Sequence, residues 1–247
     1  HLTGAIGVTL PAWTNRQPDW RGEVVPTLTL AGSVSGEKFT FRGIPGDSAQ
    51  GQFTYTNRVW HIPALTAHRP EGSVTFSYQG HELTREYHFR VHSTVDPLII
   101  RPLIEGERAQ QAFNDIRLPI PPVLNADVWG VWKDRQRSGF DVRLSATNVG
   151  LRGDIIESVS GRVQFTNSMV RFSDVALVSQ GTASIPGGAF DIATQRLSFT
   201  NTRTLLDPLR VARVIGTKSA RVMSNYLFAV PPAVTLKLLP DLAAKGC

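Results

Sequence analysis

The sequence predicts a mainly β protein, an elongated array of short antiparallel strands, and three observations carry that reading. Apolar and polar residues alternate with period 2 in several runs, so that each run has one apolar and one wet face. Turn-forming residues are frequent, with 21 glycines and 16 prolines in 247 residues, as many short strands joined by tight connections require. One pattern of turns, strands and helix starts occurs twice at a nearly constant spacing.

The elements can be taken along the chain. Ala5 to Trp13 reads as an apolar strand, and Phe39-Thr40-Phe41 alternates before the turn residues Pro45-Gly46-Asp47. From Gly51 to Asn57 the apolar positions are odd (Phe53, Tyr55), and from Val59 to Ile62 they are even (Trp60, Ile62). A hairpin reversal at Thr56-Asn57 explains the switch, because Asn tolerates positive φ. Pro70-Glu71-Gly72 and Gln79-Gly80 read as turns around the strand holding Val74 and Phe76. Tyr87, Phe89 and Val91 then interleave with His88, Arg90 and His92. Asp96-Pro97 joins an N-cap residue to Pro at the first helical position. Pro102 and Gly106 follow, so that helix should be short or broken. Val123 to Trp132 is again an apolar strand, directly after Pro121-Pro122.

The second half repeats this order. Val163 and Phe165 lead through Thr166-Asn167 into Val170 and Phe172. Pro186-Gly187-Gly188 reads as a turn, and Leu197-Ser198-Phe199 as a strand. Asp207-Pro208 opens a short amphipathic helix through Leu209, Ala212, Val214 and Ile215. Helix is expected only after the two Asp-Pro pairs.

Arg42-Gly43 and Arg152-Gly153 lie 110 positions apart, as do Gly51 and Gly161, Thr56-Asn57 and Thr166-Asn167, and Pro121-Pro122 and Pro231-Pro232. Asp96-Pro97-Leu98 and Asp207-Pro208-Leu209 differ by 111. The spacing predicts a repeat unit at 1–123, truncated at its N-terminal side, and a second at 124–247. Each unit would leave an open sheet edge for its neighbour to cover. The absence of an initiator Met and of a leader at His1 suggests an internal piece of a longer protein.

Composition narrows the function classes. Charged residues are 19% and hydrophobic residues 41%, which is a folding composition. The one cysteine is Cys247, so neither an intrachain disulfide nor a thiolate metal site can be built. The longest run free of charged residues, Val175 to Phe190, is too short and too polar to span a bilayer. The net charge of +6 is spread along the chain. Arg135, Arg137, Arg143 and Arg152 lie between the units, and Arg203, Arg210, Arg213, Lys218 and Arg221 surround the second helix. This is less dense than a nucleic-acid surface, and no nucleic-acid partner is expected. A solvated surface or contact with anionic head groups remains. No nucleophile elbow, P-loop or dinucleotide fingerprint occurs, and no carboxylate pair stands out. His88 and His92 have a helical metal-ligand spacing, but on a strand they stand about 13 Å apart. No catalytic residue, metal or cofactor is assigned.

The repeated pattern resembles the C-terminal region of the AsmA-like family, which includes TamB-type envelope proteins. The resemblance covers roughly Leu28 to Leu239. Its elements are the Gly-opened hairpins (Gly51 to Ile62; Gly161 to Phe172), the Asp-Pro helix starts, and the apolar residue before Pro-Pro (Ile120, Val230). It implies an elongated, curved antiparallel β-sheet groove with an apolar lining, and a non-enzymatic role in phospholipid transport and outer-membrane homeostasis. It also implies a periplasmic location, with an inner-membrane anchor through an N-terminal helix that this chain lacks. The partners implied are phospholipid acyl chains, neighbouring repeats of the same chain, and envelope membranes reached through absent segments. The candidate lipid-binding residues are Phe53, Tyr55, Trp60, Ile62, Val74, Phe76, Tyr87, Phe89 and Val91 in the first unit. In the second they are Val163, Phe165, Val170, Phe172, Leu197 and Phe199. Alternation alone favours an ordinary sandwich core over a lipid groove, and it is the resemblance that brings the groove reading level with it. A ligand-free structural or adhesive surface module and a carbohydrate-active β protein are the alternative readings.

Overall fold

The computed structural model describes residues 2–10, 12, 17–99, 114–151, 153–194, 196–215, 221–226 and 232–236. The chain is mainly β, and its strands follow one antiparallel order that does not close into a barrel. It divides into two compact units, His1–Leu103 with Val123–Asp141, and Ile104–Pro122 with Val142–Cys247.

The first unit holds β1 (Leu2–Thr9), β2 (Thr29–Phe41), β3 (Ile44–Thr56), β4 (Val59–Arg69), β5 (Gly72–His81) and β6 (Glu86–Ser93). A two-residue strand, β7 (Ile116–Arg117), belongs to the second unit, and β8 (Val123–Val131) returns to the first. The long β9 (Asp134–Leu151) begins in the first unit and ends in the second. The second unit continues with β10 (Asp154–Thr166), β11 (Met169–Val178), β12 (Thr182–Asp191), β13 (Arg196–Thr200), β14 (Thr202–Thr204), the helix α1 (Pro208–Ile215) and β15 (Val234–Leu236). Within each unit, strands pair mostly with their neighbours in sequence, as short turns dictate.

The two units repeat one another down to single hydrogen bonds. Asn57 and Arg58 have φ of 50° and 63°, and Asn167 and Ser168 have 50° and 61°. Positive φ at both central residues is the type I′ geometry that suits the right-handed twist of a two-residue hairpin. Gly43 and Gly153 have φ of 85° and 87° in equivalent turns. The Glu82 N–H donates to the Arg58 carbonyl at 2.9 Å, and the Ile192 N–H donates to that of Ser168 at 3.0 Å. Asp96 Oδ1 accepts from the Leu98 N–H, and Asp207 Oδ1 from the Leu209 N–H, both at 2.9 Å. Each Asp-Pro pair therefore caps a helical start, a 3₁₀ turn in the first unit and α1 in the second. Pro102 and Gly106 lie outside the described residues.

A bulge also repeats. Between Ile62 and Leu65, β4 carries one residue more than either neighbour, and Pro63, which has no N–H to place in a ladder, sits in the extra segment. The corresponding irregularity in β11 lies between Ser173 and Ala176. Gly51 and Gly161 face these bulges. A Cβ at Gly51 would lie 3.0 Å from Leu65 Cγ, and one at Gly161 would lie 2.9 Å from Val175 Cγ2. The repeated glycine makes room for the bulged strand.

Four sequence expectations need correction. Pro45-Gly46-Asp47, Gln79-Gly80 and Pro186-Gly187-Gly188 lie inside β3, β5 and β12, not in turns. The cause is crowding by aromatic rings: a Cβ at Gly46 would meet the Phe39 ring, one at Gly80 the Tyr78 ring and hydroxyl, and one at Gly188 the Phe172 ring. Helix is also not confined to the Asp-Pro sites. A π turn at Trp20–Val24 and a 3₁₀ turn at Val25–Thr27 join β1 to β2. Asp19 supports them, its Oδ1 accepting from the Arg21 N–H at 3.0 Å.

Few large side chains are deeply buried. The cluster of Ala146, Val149 and Ile156 in the second unit is packed by Ile116, Leu118, Leu151, Val159 and Leu177. It sits where β7 pairs with the end of β9 and the β9–β10 hairpin begins.

Candidate functional site

Strand register decides which side chains share a surface. Directly paired residues of an antiparallel sheet point to the same face. In the first unit, Tyr55 pairs with Leu30 and Trp60, Phe53 with Gly32, and Gly51 with Val34 and Leu65. Ile62 pairs with Tyr78, Leu65 with Phe76, and Ala67 with Val74. The same face continues through Tyr78–Phe89–Val128, Phe76–Val91–Ala126 and Val74–Ser93–Leu124. At the other side it reaches β1 through Gly32–Ile6 and Leu30–Val8. The nine candidate residues of this unit thus lie on one apolar face that crosses β1 to β6 and β8.

The reverse face is mostly polar, with Trp129 paired there to His88. His61 pairs with Thr54 and Gln79, Gln79 with His88, and Thr75 with Thr66 and His92. The Thr66 and Thr75 hydroxyls are 3.1 Å apart, and His92 Nδ1 lies 2.8 Å from Asn125 Oδ1. His88 Nε2 contacts the Asp127 carboxylate. Here His88 and His92 are separate members of a solvated hydrogen-bonding surface. Among the described residues, no three His, Cys, Asp or Glu side chains gather as a metal group.

On the apolar face, aromatic rings pack edge and tilt against one another. Tyr55 and Trp60 have centroids 4.8 Å apart, Tyr78 and Phe89 4.6 Å, and Tyr87 and Trp132 4.5 Å. Such pairs contribute about 0.5–1.5 kcal/mol beyond area burial. They leave apolar surface uncovered: Ile6 is 67% exposed, Val8 56%, Trp60 37% and Trp132 50%. Among the described residues, the strands form one sheet, and none forms a second sheet facing it.

The second unit has the same construction. Val159 pairs with Leu177, Val163 with Phe172, and Phe165 with Val170. Val170 in turn meets Phe190, Phe172 meets Gly188, and Val175 meets Ile185. Gly188 pairs with Phe199 and Phe190 with Leu197, and the Phe172 and Phe199 rings are 5.6 Å apart. The Leu197 side chain lies outside the described ones. Val163, Phe165, Val170, Phe172 and Phe199 share one face.

Several face residues escaped the sequence reading: Ile6, Val8, Leu30, Val34, Leu65, Tyr78, Ala126, Val128 and Trp132 in the first unit, and Val159, Val175, Leu177, Ile185 and Phe190 in the second. Leu65 and Val175 fall out of phase across the bulges. Tyr78 and Phe190 stand beside glycines that read as turn signals. A continued parity count from Val74 and Phe76 would have found Tyr78.

Tyr55 is an ionisable member of this face. The Tyr55 hydroxyl donates to Glu82 Oε2 at 2.6 Å. Burial first, and then this hydrogen bond to a carboxylate, push its pKa up to about 12. The folded state then holds a proton that an unfolded chain loses near pH 10. The associated stabilisation is complete below about pH 10 and is lost as pH rises through about 12. A phenolate absorbance titration should show a step near pH 12 that is absent from Tyr55→Phe. A folded Tyr55→Phe protein whose absorbance titration near pH 12 matches that of the wild type would contradict this assignment.

On the polar side of β1 to β4 lies a depression of about 750 Å³ lined by Thr3, Ser33, Ser35, Gln50, Gln52 and Thr66 among others. Its lining includes no aromatic ring and no carboxylate. It therefore lacks both the stacking platform and the acid pair of a glycosidase cleft. No helix among the described residues is long and apolar enough to cross a membrane. No family model, curated protein or solved structure matches the chain.

Proposed function

We propose that the chain is a non-enzymatic lipid-binding segment that holds acyl chains on the apolar face of its sheet. The observation that carries this is register. Leu30, Tyr55, Trp60, Ile62, Phe76, Tyr78, Phe89 and Val91 share one apolar face with exposed members, and no second sheet among the described residues covers it. A packed sandwich needs a partner sheet about 10 Å away to fill such a face. An acyl chain supplies the same burial, at about 25 cal/mol per Å² of apolar area. The repeat supports the same lining in each unit.

The resemblance to AsmA-like proteins supports phospholipid transport in a periplasm, with outer-membrane homeostasis as the cellular role. The protein purified from a phospholipid-containing host is expected to carry co-purifying phospholipid, read by mass spectrometry of an organic extract. Lipid-free protein that also fails to take up phosphatidylglycerol on incubation would overturn the proposal.

A further inference from the structure

The apolar face of the first unit has two unlike rims. At one, a row of paired positions is Ala49, Ala67, Val74, Ser93 and Leu124, all small or aliphatic, and one pair beyond it on the same face is Arg69 with Gly72. At the other it is Tyr55, Trp60, Gly80, Tyr87 and Gly130, with Trp132 stacked on Tyr87. The polar tips of this aromatic row reach toward the adjoining turns: Tyr55 bonds Glu82, and the Tyr87 hydroxyl lies 3.4 Å from that of Ser138. Tyr and Trp favour such boundaries, where one end of the ring is apolar and the other wet.

Among the described residues, cations that meet no carboxylate are more numerous at the turns of the aromatic rim. At the aromatic rim, Asn57 and Arg58 are tied to the turn at 82–85 by the Glu82 N–H to Arg58 carbonyl bond. That turn is tied to the next by the Trp132 N–H, which donates to the Arg85 carbonyl at 3.0 Å. The acids here are engaged. Glu82 accepts from Tyr55, Glu86 meets Arg137 at 3.5 Å, and Asp134 Oδ1 accepts the N–H groups of Gln136 and Arg137. Arg85, Lys133 and Arg135 meet no carboxylate among the described residues. At the aliphatic rim, Arg69 is held by Glu71 and the Pro45 carbonyl, while Lys38 and Arg42 at the β2–β3 end meet no carboxylate among the described residues and Arg42 lies over the Phe41 ring.

We infer that the aromatic rim holds the phosphate end of a bound acyl lipid, with Arg85, Lys133 and Arg135 as its counter-charges. This rests on the acyl-chain reading of the face, and it fixes which way a lipid lies across the first unit. Phosphate sits beside the turns, the glycerol region lies among Tyr55, Tyr87 and Trp132, and the acyl chains run toward Val74 and Leu124.

The test is quenching of tryptophan fluorescence by brominated acyl chains. Phosphatidylglycerol and diacylglycerol with the same chains are compared on the wild type and on the combined variant Arg85→Glu, Lys133→Glu, Arg135→Glu. Each cation near an anionic head group is worth about fivefold in affinity. The variant should therefore bind phosphatidylglycerol at least about tenfold more weakly and diacylglycerol unchanged. Unchanged phosphatidylglycerol binding, or an equal loss for both lipids, would overturn the assignment while leaving the acyl-chain reading in place. A wild type that binds neither lipid overturns both. Calorimetry with glycerol 3-phosphate separates the source of the phosphate. Binding of this small anion as tight as that of the lipid, and lost in the variant, would make the rim a free-phosphate site and overturn the lipid assignment.

Discussion

Phe89→Asp is expected to strip the protein of at least about four-fifths of its bound phospholipid while leaving the sheet folded. Phe89 lies in the middle of β6, paired with Tyr78 on one side and Val128 on the other. Its ring meets Tyr78 at 4.6 Å and Tyr87 at 5.7 Å. Phe89 is half-buried among Tyr78, Tyr87 and Trp132, so a carboxylate there keeps partial access to water in the empty protein. Once an acyl chain covers the position, the same carboxylate must be desolvated without a partner, which costs several kcal/mol. The penalty therefore falls mainly on the lipid-bound state. Phe199→Asp should act likewise in the second unit, where Phe199 pairs with Gly188 and packs on Phe172. Gln79→Asp is the control, since Gln79 is exposed on the polar face and pairs with His61 and His88. It should keep its lipid. Equal lipid content in all four proteins, with similar melting temperatures, would remove the apolar face from the account.

Ile156→Asp is expected to abolish folding of the second unit, whereas Ile155→Asp should be nearly silent. These neighbours on β10 face opposite ways: Ile156 is 8% exposed and Ile155 60%. Ile156 packs with Ala146 and Val149 in the most buried cluster of its unit. Truncating such a residue costs about 2–5 kcal/mol, and burying an unpaired carboxylate adds several more. Domains have only about 5–15 kcal/mol in total. The conservative Ile156→Val should lose about 0.5–1.5 kcal/mol, and Ile155→Asp should stay within about 0.5 kcal/mol of wild type. Urea denaturation followed by circular dichroism measures all three. A folded Ile156→Asp protein with unchanged midpoint would contradict the placement of this core.

Much of this arrangement is legible in the residues because its cause is local. Parity across Thr56-Asn57 and Thr166-Asn167 finds two hairpins, since a two-residue turn must move the apolar set from odd to even positions. Asp96 and Asp207 mark helical starts by side-chain capping, which needs only the next few residues. The 110-residue spacing then links these signals, and equivalent hydrogen bonds and φ angles recur at that spacing. What stays hidden is long-range. Gly46, Gly80 and Gly188 resemble turn glycines, and only the rings of Phe39, Tyr78 and Phe172 crossing over them explain their place inside strands. Leu65 and Val175 reach the apolar face because a bulge resets the phase. The stacking of Trp132 on Tyr87 depends on β6 lying beside β8, a pairing that bridges the whole 94–122 connection.

Adjacent residues on one strand separate the two faces most directly. A photoreactive benzophenone side chain placed singly at Phe89, Arg90, Ser198 or Phe199 samples both faces of β6 and β13. On irradiation of protein loaded with phosphatidylglycerol, the adducts are read by mass spectrometry. Binding of acyl chains on the apolar face predicts lipid adducts at positions 89 and 199 and none at 90 and 198. Equal labelling of both faces, or no adduct at 89 and 199, would contradict it.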